Sequence, residues 1–151
     1  MSVSLVLVPV AFAAIAAWQA SRPEQAATET GVLVQHVQTR MRDEHLLTVA
    51  LSDTGALVAR SDDELVADWS DVRACFSRGE DGIWKVDFTG AVDAEQAASI
   101  VTAVDTAYGL QVQRTVLARL RERAPSAGMA VESEMVEADQ SVTLVLTQGA
   151  R

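Results

Sequence analysis

The sequence predicts an α+β fold: a mainly antiparallel sheet with two or three helices packed on one face, preceded by an apolar N-terminal segment. Three observations carry that expectation. The middle of the chain alternates apolar and polar residues in short runs divided by turn-forming residues. Two stretches, one near residue 46 and a long one after residue 93, place apolar residues at helical spacing. No side chain from Met1 to Ser21 is charged.

That leader is apolar from Val3 to Trp18 except for Ser4. As a helix it would run roughly 24 Å at ~1.5 Å per residue. A bilayer core asks for about 20 residues, ~17 at the short end, so a helix extended to Ala20 is marginally long enough. Trp18 and Arg22 would then sit at interfacial depth. Residues 1–21 therefore read as a membrane anchor with contact through 3–20. The arginines that follow (Arg22, Arg40, Arg42) put the domain on the cytoplasmic side. Two alternatives stand beside it. One is a signal peptide, which lacks its basic start. The other is a segment packed on protein, with Ser2 to Val8 a strand stopped by Pro9. Residues 22–31, polar and bounded by Pro23 and Gly31, read as a linker.

The domain spans 32–148. Val32, Val34 and Val37 mark a strand. Asp43 can cap a helix whose apolar face is Leu46, Leu47, Ala50 and Leu51, with Gly55 to end it. Ala56–Arg60 is a strand, followed by a turn at Ser61-Asp62-Asp63. Leu65, Ala67 and Trp69 alternate, then Val72, Ala74 and Phe76. Asp81-Gly82 signals a hairpin into Trp84, Val86 and Phe88. Asp93 with Gln96 opens a second helix. Its stripe runs through Ala97, Val101, Val104 and Tyr108, then Val112, Val116, Leu117 and Leu120. Gly109 reads as a kink or break, not a domain boundary. After Ala124-Pro125, Met129–Ser133 and Val142–Leu146 form a closing hairpin.

Composition narrows the function. Net charge is −9, from 21 acidic and 12 basic residues. Such a surface repels phosphate backbones, so no nucleic-acid partner is expected. The single cysteine, Cys75, permits no intrachain disulfide. It reads as a partly buried strand residue, with a reactive thiol as the alternative if Arg73 lowers its pKa. His36 and His45 stand in no metal-ligand spacing, and phosphate loops and nucleophile elbows are missing. Asp62-Asp63-Glu64 reads as a hydrated turn, with a divalent-ion site as the alternative. No catalytic residue, metal site or cofactor is expected, and the chain does not read as an enzyme. Two charged groups remain as interaction candidates: Arg114, Arg119, Arg121 and Arg123 on the long helix, and Glu132, Glu134 and Glu137 on the last hairpin. They either pair with each other or meet an acidic partner, lipid headgroups or a docking protein.

Residues from about 36 to 147 resemble a small uncharacterised family encoded in cyanobacteria and algal plastids. The likeness rests on Val37-Gln38-Thr39, Leu46 to Gly55, Phe76 with Trp84-Lys85-Val86-Asp87, and Tyr108. It continues through Gly128-Met129, Glu132 and Ser141 to Leu146. The resemblance implies an α+β fold and no known catalytic residues. Genes of that family tend to lie near those of AAA-type ATPases, which implies a regulatory or adaptor role. The apolar leader, the acidic surface and the missing site make the expected function a non-catalytic interaction module, a membrane-tethered accessory or adaptor subunit of a larger bacterial assembly, and the resemblance offers an AAA-type ATPase as a candidate partner. Alternatives are a structural subunit whose apolar N-terminus packs into an oligomer, and a small enzyme of unknown reaction.

Overall fold

The computed structural model describes residues 2–7, 24–27 and 33–148. Its elements in chain order are β1 (Ser2–Leu7), β2 (Glu24–Ala27), β3 (Leu33–Gln38), α1 (Glu44–Asp53), β4 (Leu57–Ser61), β5 (Glu64–Trp69), β6 (Val72–Arg78) and β7 (Trp84–Gly90). They continue with α2 (Ala94–Arg123), a 3-10 turn (Pro125–Ala127), β8 (Met129–Val136) and β9 (Val142–Gln148). The fold is α+β, with every described strand pair antiparallel.

The strands form two sheets where one was expected. The six-stranded sheet has the order β2-β3-β7-β6-β5-β4, and the three-stranded sheet the order β1-β9-β8. The chain divides into two compact units, residues 11–108 and residues 1–10 with 109–151. The division falls at Gly109, which was expected to kink or break the helix but not to mark a boundary. Helix α2 runs through that glycine without a break. It gives its first half to one unit and its second half to the other.

In the larger unit the alternation does what periodicity demands. Leu65 and Ala67 on β5, Val72, Ala74 and Phe76 on β6, and Trp84, Val86 and Phe88 on β7 are buried, while their neighbours are not. Leu47 and Leu51 of α1, and Ala97, Val101 and Val104 of α2, join the same core. Both helix starts are capped as the sequence suggested. Asp43 accepts the Leu46 amide at 2.9 Å, and Asp93 accepts that of Gln96 at 2.7 Å. Asp62 takes φ 52° in the two-residue turn between β4 and β5, a left-handed conformation that aspartate tolerates. Two polar contacts join the segment after β3 to α2. Arg40 meets Asp105 through Nε–Oδ1 at 2.9 Å and Nη2–Oδ2 at 2.8 Å. Tyr108 Oη accepts the amides of Arg42 and Asp43.

In the smaller unit β9 is the central strand. Val142, Leu144 and Leu146 pack against Leu117 of α2 and Ala124 just beyond its end, with Leu7 and Leu120 at the margin. Val112 and Val116, expected in the apolar stripe, are half exposed. Gln113 takes the inward position instead. Its Nε2 donates to the carbonyls of Leu7 and Gln140, each at 3.0 Å.

The N-terminal readings change accordingly. Residues 2–7 are extended and paired with β9 from Ser2↔Thr147 to Leu7↔Val142. The strand alternative therefore holds for them, and a helix through 3–20 would lose its first five residues to the sheet. Residues 8–23 lie outside the described residues. Within the segment read as a linker, Glu24–Ala27 is a strand paired with β3. No helix among the described residues is long and apolar enough to cross a membrane.

Candidate functional site: the open edge of the three-stranded sheet

All seven charged residues singled out from the sequence fall in the smaller unit. Only one pair of them meets. Arg121, in the last turn of α2, grips Glu134 of β8, with Nε–Oε2 at 3.2 Å and Nη2–Oε1 at 2.6 Å. Arg114, Arg119 and Arg123 are exposed, as are Glu132 and Glu137, and among the described residues none of these five forms an ion pair. The expected mutual neutralisation of helix and hairpin is thus a single half-exposed bridge, worth ~0–1 kcal/mol.

The structure adds a feature the charges alone did not show. Every residue of β8 is exposed. β8 lies at the end of its sheet, so its outer row of backbone N–H and C=O groups has no strand partner among the described residues. Directly opposed residues of an antiparallel pair share a face. Glu134 and Val136 oppose Leu144 and Val142 and lie on the side of α2, whereas Met135 opposes Thr143 and lies on the other side. Met135 and Val136 are 60% and 65% exposed, although both are large and apolar. The register shifts between Val131 and Ser133, leaving Glu132 as the extra residue of a bulge. Asp139 fixes the turn beyond β8. Its Oδ1 accepts the Ser141 amide at 2.9 Å and the Ser141 hydroxyl at 2.6 Å, which holds its carboxyl below the usual range.

The larger unit has a cleft of about 420 Å³, lined by Glu44, Asp63, Glu64, Ser77, Arg78 and Trp84 among others. Most of its charges are engaged within the fold. Glu44 pairs with Arg60 at 2.5 Å. Arg78 lies over the Trp84 ring and donates to the Arg42 carbonyl at 2.9 Å. Glu64 accepts from the Cys75 thiol at 3.1 Å.

That last contact corrects the reactive-thiol alternative. Arg73 is held by Asp68 in a two-point pair at 2.9 and 3.0 Å. Burial first, then Glu64 and Asp87, push the Cys75 thiol up to about 11, so it stays protonated near neutrality. No three His, Cys, Asp or Glu side chains converge on a metal position among the described residues, Asp62-Asp63-Glu64 included.

Sequence reasoning missed Gln113 and Asp105, the buried polar side chains that fasten α2. Their signal was legible: Asp105 stands four residues after Val101, and Gln113 four before Leu117, so both occupy core phase on the helix. Compared with known protein families, with curated proteins and with solved structures, the chain finds no match in any of the three.

Proposed function

We propose that the protein is a non-catalytic interaction module, an accessory or adaptor subunit that works by presenting the β8 edge to a protein partner. The observation that carries this reading is the eight-residue strand β8, exposed along its whole length and, among the described residues, without a strand partner on its outer side. Open edges are aggregation hazards and are usually kept short, covered or studded with charge. Here the edge is long and bears exposed Met135 and Val136 beside Glu132 and Glu137. Apolar groups rimmed by charge are the usual make-up of a docking surface. The protonated Cys75 and the inwardly paired charges of the cleft support a role without chemistry.

An AAA-type ATPase, the partner class implied by the resemblance, is the first candidate to offer to this surface. A membrane tether would have to use residues 8–20. As a helix these reach about 20 Å, against a ~30 Å hydrocarbon core. We therefore place any membrane contact at the bilayer surface.

A photo-crosslinking residue at Met135, compared with one at exposed Ser99 on α2, tests the proposal in the native cell. The expected result is a discrete protein adduct from position 135 alone. No adduct there, or the same adducts from both positions, would overturn it.

A further inference from the structure

Resting on that reading, we infer that the β8 edge takes a basic, extended peptide segment as a fourth strand of the β1-β9-β8 sheet. The backbone sets the binding mode. An incoming strand at ~4.8 Å would pair the outer N–H and C=O groups, as in strand addition to an open edge. The bulge at Glu132 interrupts regular pairing, so the docking stretch is Ser133–Val136, on the turn side of it.

Charge selects the occupant. Glu134 is already neutralised by Arg121. Glu132 and Glu137, one at each end of the docking stretch, have no ion-pair partner among the described residues and call for lysine or arginine. A second copy of the chain fits poorly. Antiparallel β8–β8 pairing would bring the two copies' glutamates together, in a protein of net charge −9. The apolar groups set the pattern. Met135 faces away from α2 and Val136 toward it, so apolar residues of the incoming strand would cover both.

The probe is a labelled Lys-Val-Val-Thr-Thr-Lys peptide, whose adjacent valines take the two faces and whose end lysines take Glu137 and Glu132, titrated against the full chain by fluorescence anisotropy. A copy N-methylated at every central amide keeps the charge and loses the ladder. We expect saturable binding, at least tenfold weaker for the methylated copy and for E132K/E137K. E95K/E122K, an equal charge change elsewhere, should keep it. Amides of Ser133–Val136 should gain protection from hydrogen exchange when the peptide binds. Equal binding of both peptides, or equal damage from both charge reversals, would overturn the inference by showing charge attraction alone. Protection of β8 that rises with protein concentration and needs no peptide would overturn it in favour of a second copy. Failure of the peptide with the Met135 crosslink intact sinks this inference and leaves the module reading standing. Failure of both sinks both.

Discussion

Gln113 donates to the carbonyl of Leu7, 106 residues away in sequence, at 3.0 Å, and with the same nitrogen to that of Gln140. One buried amide thereby fastens the end of β1 and the β8–β9 turn to the middle of α2. A leucine at this position would fill similar space and leave both carbonyls without their donor. We expect Gln113→Leu to lose about 1–3 kcal/mol in urea unfolding of the full chain. Hydrogen exchange should quicken most at β1.

Arg40 and Asp105 are unequal partners, since the arginine side chain is 38% exposed and the aspartate only 6%. Removing Arg40 strands a buried carboxylate, whereas removing the carboxylate leaves a guanidinium that water can reach. Arg40→Met should therefore cost about 3 kcal/mol or more, and Asp105→Asn clearly less. Equal losses in denaturant titrations would show that burial does not set the asymmetry.

The larger unit was legible because its signals are local. Alternation around Trp84, Val86 and Phe88, and the caps at Asp43 and Asp93, are each written within a few residues. The N-terminal strand was not. Ser2–Leu7 has the composition of a helix or a strand, and its partner β9 lies at the other end of the chain. β2 reads Glu-Gln-Ala-Ala, a sequence with little strand preference, and is a strand only through its pairing with β3. The charged residues were legible as types, but their pairing was not. Arg121 and Glu134 are 13 apart on different elements, where no helical spacing rule applies.

Cys75 should react slowly. Its thiol, raised from 9.0 to about 11, holds about a hundredfold less thiolate at pH 8 than a group left at 9.0. Labelling by a maleimide should climb with pH up to about 11, and Glu64→Gln should shift that climb to lower pH. The sign for stability follows from the raised value. The contribution is fully present below the unfolded thiol's pKa and is lost as pH rises through that of the folded protein. A Cys75→Ser variant should lack this alkaline loss.

Acid should act through Asp68 and Asp139. The hydrogen bonds from Arg73 lower the first, and those from Ser141 lower the second. Their contribution is present above the ~3.9 of an unfolded aspartate and disappears as pH falls through the lower folded values. Asp68→Asn and Asp139→Asn should each flatten the decline of the urea midpoint below about pH 4. Matching slopes in wild type and variants would remove these two groups as its cause.

The N-terminal strand makes opposite predictions for an anchor and a structural element. Residues 2–7 form an unbroken register with β9 and bring Leu7 to the Leu117–Leu144 cluster. Deleting them would unpair one whole side of the central strand and open the flank of Val142, Leu144 and Leu146 to water. Exposed apolar edges of this kind invite aggregation. We therefore expect the deletion to lower the thermal midpoint and to drive concentration-dependent aggregation, with and without detergent. An anchor whose only partner is lipid would behave in the opposite way: its removal would leave the midpoint unchanged and raise solubility. Thermal unfolding of the deleted chain beside Val6→Ser settles the matter. Val6 opposes Thr143 on the face away from α2, so that substitution leaves the strand paired and should be nearly silent.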